Sequence, residues 1–181
     1  KALLISRIIN PRSHDLGEGF LVKRILPFHA QRSVGPFVFF DHFGPADYAP
    51  GTHFDVRPHP HIGLSTVTFL FDGTIRHRDS LGNDRTIQPG AVNWMTAGRG
   101  IVHSERTPDL QIKDGQTLHG LQTWVALPGD EEDCAPAFEH HPAEALPEFS
   151  VGNIHVKLLA GTAWNHTSPV TFPSPILYAV L

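Results

Sequence analysis

The sequence predicts an all-β domain of barrel or jelly-roll type, and three observations lead to that expectation. Sixteen glycines and sixteen prolines are spread along the whole of the 181 residues, and they separate short apolar runs at the spacing of successive hairpins. The densest run, residues 64–71, joins the β-branched Thr66, Val67 and Thr68 to Phe69 and Phe71, side chains that suit a pleated, half-buried surface. Helix signals, by contrast, are weak.

Each element can be justified in turn. Up to Phe40, short strands starting at Leu3 are broken by Asn10-Pro11, Gly17-Glu18-Gly19, Pro27 and Gly35-Pro36, and residues 37–40 form an apolar run fit for burial. A loop rich in Gly and Pro covers 44–51. The strand at 64–71 is expected to end in a hairpin turn on Asp72-Gly73, with 74–79 pairing back against it. Leu81-Gly82-Asn83 turns the chain into 85–88, and Pro89-Gly90 turns it again into 91–95. Gly98-Arg99-Gly100 introduces 101–105, and after a polar connection 118–127 forms another alternating strand. The expected organisation is a barrel over 1–135 and a linker or lid over 136–150, followed by strands over 151–181 that either complete this barrel or begin a second one.

Charge and cysteine usage narrow the function. With net charge −4 and fourteen scattered Lys and Arg residues, no basic stripe is available for a phosphate backbone, so no direct nucleic-acid binding is expected. The single cysteine, Cys134, cannot form an internal disulfide and lies in the acidic segment Glu131-Glu132-Asp133-Cys134, which fits a reducing compartment. The apolar run Ala2-Leu3-Leu4-Ile5 meets Ser6 and Arg7 too soon for a signal peptide, and eighteen apolar residues never occur in sequence. The expectation is a soluble cytoplasmic protein with no membrane partner, or a nuclear one in a eukaryote. Lys1 in place of a methionine leaves the true N-terminus open. The unusual feature is thirteen histidines.

Two motifs give those histidines a purpose. In Arg57-Pro58-His59-Pro60-His61 the imidazoles sit at i and i+2, so on a strand both project from one face, roughly 6–7 Å apart at the backbone. Pro58 and Pro60 remove two backbone donors, which places this segment at a sheet edge or strand entry. Some forty residues on, His103-Ser104-Glu105 repeats the spacing with an imidazole and a carboxylate. A lone pair of this kind is commonly just a surface feature. Two of them on adjacent antiparallel strands would close on one cation, because a buried carboxylate is costly without one. Three nitrogens and one oxygen suit one divalent transition metal, whether Fe(II), Mn(II), Ni(II), Cu(II) or Zn(II). Glu105 could also accept a proton from a bound substrate.

Other residues stay open. Ser65, Val67, Phe69 and Phe71 share parity with the first histidine pair and are expected either to line an apolar cavity or to be plain core. His42, His53, His119 and Gln122 are candidates for the pocket or for hydrogen bonds to the ligands. His77 and Asp79, between Arg76 and Arg78, read as a solvated outer strand. His140 and His141 fall in the acidic linker, as lid residues or without a role. Arg99 and Arg106 either orient an anionic substrate or face water.

Phe40-Asp41-His42-Phe43-Gly44-Pro45, His59-Pro60-His61-Ile62-Gly63 and the stretch from Pro89-Gly90 to Trp94-Met95-Thr96-Ala97-Gly98-Arg99-Gly100-Ile101-Val102-His103-Ser104-Glu105 resemble the pirin family of the cupin superfamily. The likeness extends to the strand Leu118-His119-Gly120-Leu121-Gln122-Thr123-Trp124-Val125. It implies a two-cupin architecture whose N-terminal barrel alone holds metal, with His59, His61, His103 and Glu105 as ligands and iron as the metal. It further implies either a quercetin 2,3-dioxygenase-like oxidoreductase acting on a small aromatic substrate, or an iron-dependent transcriptional co-regulator with a regulatory protein partner. Two departures stand out. A full member continues well past Leu181, so the C-terminal barrel is expected to be truncated and the exposed apolar surface to favour a homo-oligomer. Ser65 stands where many relatives carry a glutamate.

Overall fold

The computed structural model describes residues 7–17 and 20–181. The expected strand start at Leu3, the apolar run at 2–5, and Glu18 and Gly19 lie outside them. In chain order the first strands are β1 (Arg12–Asp15), β2 (Leu21–Leu26), β3 (Phe37–Tyr48), β4 (Asp55–His61) and β5 (Leu64–Asp72). β6 (Ile75–Asp79), β7 (Asp84–Ile87), β8 (Val92–Thr96) and β9 (Ile101–Arg106) follow. The polar connection winds into a short helix, α1 (Asp109–Asp114), before β10 (Gln116–Ala126) and β11 (Ala137–His141). The remaining strands are β12 (Glu148–Val151), β13 (Ile154–Ala160), β14 (Thr162–Ala163), β15 (His166–Thr167) and β16 (Tyr178–Val180). No helix among the described residues is long and apolar enough to cross a membrane.

The strands divide into a seven-stranded sheet, ordered β1-β2-β3-β10-β5-β8-β11, and a four-stranded sheet, ordered β4-β9-β6-β7. The chain changes sheet at β3–β4, β4–β5, β5–β6, β7–β8, β8–β9 and β9–β10, which is the jelly-roll arrangement. Apolar side chains of both sheets meet inside. Val22, Phe43, Leu70 and Leu118 from the larger sheet pack with Ile75 and Ile87 from the smaller one, and Phe54 and Phe20 close the cluster. All-β, cupin-type architecture is therefore what the punctuated sequence folds into.

Two expectations need correction, and one left open is decided. Residues 74–79 do not pair back on β5: Gly73, at φ 79°, carries the chain across to the other sheet, where β6 pairs with β7 and β9. The presumed linker also contains structure, since β11 pairs with β8 at the edge of the large sheet. Of the two readings open for Ser65, Val67 and Phe69, cavity lining or plain core, the core reading holds, for they are buried outside the barrel interior. The turn at Ile62-Gly63, with Gly63 at φ 66°, resets the alternation between β4 and β5. Thr68 and Leu70 therefore face inward. Val67 and Phe69 join Val92 and Trp94 on the outer face, where Leu146, Leu159, Ala160, Val170 and Tyr178 cover them. Phe71 is exposed, and Ser65 bonds to Thr96 (Oγ–Oγ1, 3.0 Å). The glutamate missing at Ser65 is thus absent from a place that does not face the cavity.

Those covering residues come from 146–178, and β12-β13-β16 form a separate three-stranded sheet. Both faces of β5 are buried as a result, with Val67 and Phe69 under the covering residues and Thr68 and Leu70 facing the barrel.

Candidate metal centre

β4 and β9 run antiparallel, and their register sets His59 opposite His103 and His61 opposite Ile101. Between Val56 and His59 the register slips by one residue, a bulge at Arg57-Pro58. That extra residue lets Val56 and both histidines of β4 line one cavity. The i, i+2 reading of the sequence holds for each pair. The three imidazole rings converge, with centroids 4.5 Å apart for His59–His103, 4.9 Å for His59–His61 and 5.0 Å for His61–His103.

One ligand-type nitrogen from each of His59, His61 and His103 lies within 4.8 Å of the other two. Glu105 is not in that trio at this distance. It joins His103 and His77 in an overlapping group of the same span, and it lines the same cavity as His59 and His61. Glu105 Oε1 lies 2.9 Å from Thr68 Oγ1, which is also 2.8 Å from the side-chain amide of Gln122. A hydroxyl has one proton to give. The Thr68 hydroxyl is shared between two acceptors, Glu105 Oε1 and Gln122 Oε1.

The electrostatics favour bare nitrogens. Burial, with His103 and His59 alongside, pushes His61 down to about 4. Burial, with His59 and His77 beside it, pushes His103 down to about 3. Both rings are neutral at pH 7. His59 donates its Nδ1 proton to the carbonyl of Arg57 at 2.8 Å, which leaves Nε2 as its lone-pair atom. His61 Nε2 and His103 Nε2 are buried and have no hydrogen-bond partner. An unpaired buried polar atom costs about 1–3 kcal/mol, so a cluster of them aimed at one place fits a cation better than it fits a plain core. The donor set suits a divalent transition metal.

The adjoining cavity measures about 320 Å3, within the range of small-molecule sites. Its walls are mainly apolar, with Phe20, Phe39, Phe43, Phe54 and Trp124 among them. Trp124 stacks on Phe39 at 4.1 Å and meets His61 edge-on at 5.0 Å. The Arg24 guanidinium lies 4.4 Å from the centre of the Phe39 ring while making two bonds to the buried Asp41, at 2.9 and 2.8 Å.

The other candidates scatter. Gln122 lines the cavity, while His42 and His119 pair with each other at 2.7 Å. His53 and Arg99 are exposed, and Arg106 pairs with Asp55 at 2.8 Å. His140 meets Asn93 at 2.7 Å and His141 meets Glu139 at 2.9 Å, both from β11. His77 and Asp79 are not a solvated strand. Both side chains are buried and bonded at 3.0 Å, and His77 approaches His103. The arginines beside them misled: Arg76 and Arg78 belong to the opposite face, where both pair with Asp84. Period-two counting through Ile75, His77 and Asp79 carries the signal that was available.

The pirin family model matches residues 19–125. A pirin-like protein from Caulobacter vibrioides is 51% identical over 97% of this chain and 61% of its own length. The crystal structure of a quercetin 2,3-dioxygenase from Acinetobacter baumannii superposes with a TM-score of 0.87 at 40% identity, covering 93% of this chain and 54% of that one. At 19% identity and a TM-score of 0.62, a bacterial pirin from Escherichia coli, solved with nickel(II), shares the fold over 83% of this chain and 69% of its own. The chain thus spans between half and two thirds of the length of these first two relatives. With more than half of its residues under the family model, and the barrel and histidine cluster in place, the chain belongs to the pirin family.

Proposed function

We propose that the barrel holds one divalent transition metal through His59, His61, His103 and Glu105, and that it opens quercetin-like flavonols or related aromatic enols with dioxygen. The observation that carries this reading is the set of partnerless imidazole nitrogens beside an aromatic-walled cavity. The likeness to the Acinetobacter dioxygenase supports the substrate class. Fe(II) is the metal assigned, following the family resemblance. When bound, such a metal supplies Lewis acidity and electron exchange with dioxygen.

The protein's own groups do the rest. Trp124 and Phe39 offer flat apolar faces along which an aromatic ring can lie, and the apolar lining keeps water from the reacting face. Glu105 accepts the proton of the substrate hydroxyl, its carboxylate held in place by the Thr68 hydroxyl. Arg24 and Asp41 neutralise each other at the wall, so the cavity favours an uncharged or singly ionised ring system.

The test is anaerobic loading with Fe(II) followed by oxygen-uptake measurement on quercetin. Uptake that tracks metal content and disappears in His59→Ala is expected. Fully loaded protein that consumes no oxygen would remove the flavonol class. We also propose a cytoplasmic location, supported by the lone Cys134, and we assign residues 151–181 to the opening strands of a second barrel, supported by their separate sheet.

A further inference from the structure

His77 and Asp79 have no part in the chemistry above, yet they are buried beside it. Register places Asp79 opposite His103 and His77 opposite Glu105 across β6 and β9. His77 Nδ1 lies 3.4 Å from His103 Nδ1, and His77 Nε2 lies 3.0 Å from Asp79 Oδ2. The His77 ring stacks on Phe138 at 4.4 Å with a 15° tilt, which fixes its plane. Asp79 is itself held. Its Oδ1 accepts from the backbone N–H groups of Leu81 (2.9 Å) and Asn83 (3.2 Å), and the Asn83 amide donates to both oxygens.

Counting protons settles the rest. Asp79, surrounded by donors, acts only as an acceptor, so His77 donates to it from Nε2 and, as a neutral ring, turns a bare Nδ1 toward His103 Nδ1. Two bare nitrogens at that separation would repel, so His103 holds its own proton on Nδ1. His103 Nε2 is left bare, and that is the buried nitrogen without a partner that faces the cluster.

We infer that Asp79 and His77 are positioning residues that dictate the tautomer of His103, keeping its Nε2 lone pair turned to a cation and making it the more basic donor. A carboxylate behind a ligating imidazole is a familiar way to fix ring orientation and strengthen the ligand. Here the carboxylate acts through a second ring. The inference rests on the metal reading given under Proposed function. His77 also lies within 4.8 Å of His103 and Glu105 donor atoms, but its two nitrogens are already committed to Asp79 and His103.

The experiment uses Asp79→Asn, which keeps the size and the turn but presents an N–H to His77 Nε2. His77 must then move its proton to Nδ1, and His103 must move its own to Nε2, where it blocks ligation. Nitrogen-15 NMR of chelator-stripped protein should show His103 Nδ1 protonated in the wild type and bare in Asp79→Asn. Competition titration with Zn(II) alone should show affinity weakened by about 10- to 100-fold. Adding His77→Asn to that variant puts an amide oxygen where Nδ1 was, and should return both the tautomer and most of the affinity. His77→Phe, which keeps a ring against Phe138, should not. An unchanged His103 tautomer in Asp79→Asn overturns the inference, as does a changed tautomer with wild-type affinity. Wild-type protein that carries the derived tautomers yet takes up no Zn(II) overturns the metal reading alone and leaves the proton chain standing.

Discussion

His61 and His103 resist protonation because each lies in a dry wall of the barrel among other imidazoles, and this links the site to stability. Their native values of about 4 and about 3 lie below the ordinary 6.5 that they regain on unfolding. Above about pH 6.5 neither state takes a proton, and the native state keeps its full advantage. Between pH 6.5 and about 3–4 the unfolded chain binds protons that the native state refuses, so stability falls with pH across that window. His42 and His140, also lowered chiefly by burial, add in the same direction. Guanidinium melts of metal-stripped protein should show a midpoint that declines from pH 6.5 to pH 4. A midpoint constant over that range would contradict the burial argument. At this scale the ligand-type residues could be read directly, since i, i+2 spacing on a strand is a property of local sequence. His77, Asp79 and Thr68 could not, because their approach depends on which strands become neighbours and in what register.

The elements that aim those side chains are fixed by turns as much as by strands. β9 leaves the turn Gly98-Arg99-Gly100, where Arg99 N–H donates to the Cys134 carbonyl at 3.0 Å. Gly98 has φ 49°, and a Cβ there would stand 2.1 Å from that carbonyl oxygen. The Cys134 backbone therefore clamps the base of the strand that carries His103 and Glu105. Gly98→Ala should cost about 3 kcal/mol, the upper end for overpacking, and should also weaken metal uptake because β9 must shift. Thermal melts and Zn(II) titration check the two effects together, and wild-type values in both would refute the clamp. The glycine-rich turn is visible in sequence, but its partner is not, because 131–134 reads only as an acidic segment. The same limit explains β5 and β6. A turn on Asp72-Gly73 could be foreseen, whereas its sending the chain into the opposite sheet depends on packing that no local pattern encodes.

Across the whole molecule, the barrel and the strands after residue 146 share one core. Leu159, Ala160 and Tyr178 pack on Val67, Phe69, Val92 and Trp94, and Trp94 is fully buried there. Leu159→Ala, far from the histidines, should lower the stability of the whole fold by about 2–5 kcal/mol. Tryptophan fluorescence and far-ultraviolet dichroism should still change in one shared transition, whereas two separated transitions would show that the two parts fold independently. The fold class was legible because Gly and Pro punctuation and β-rich runs extend over the entire chain. The packing of 146–178 on the barrel was not, since both faces of β5 mix hydroxyl and apolar side chains and its sequence cannot say which one is inside. β4 adds a last consequence at this scale. It is the outermost strand of its sheet, and its two prolines leave gaps where a ladder would need donors. A second copy of the chain meeting this rim finds an interrupted row of donors, which disfavours end-to-end pairing through that border.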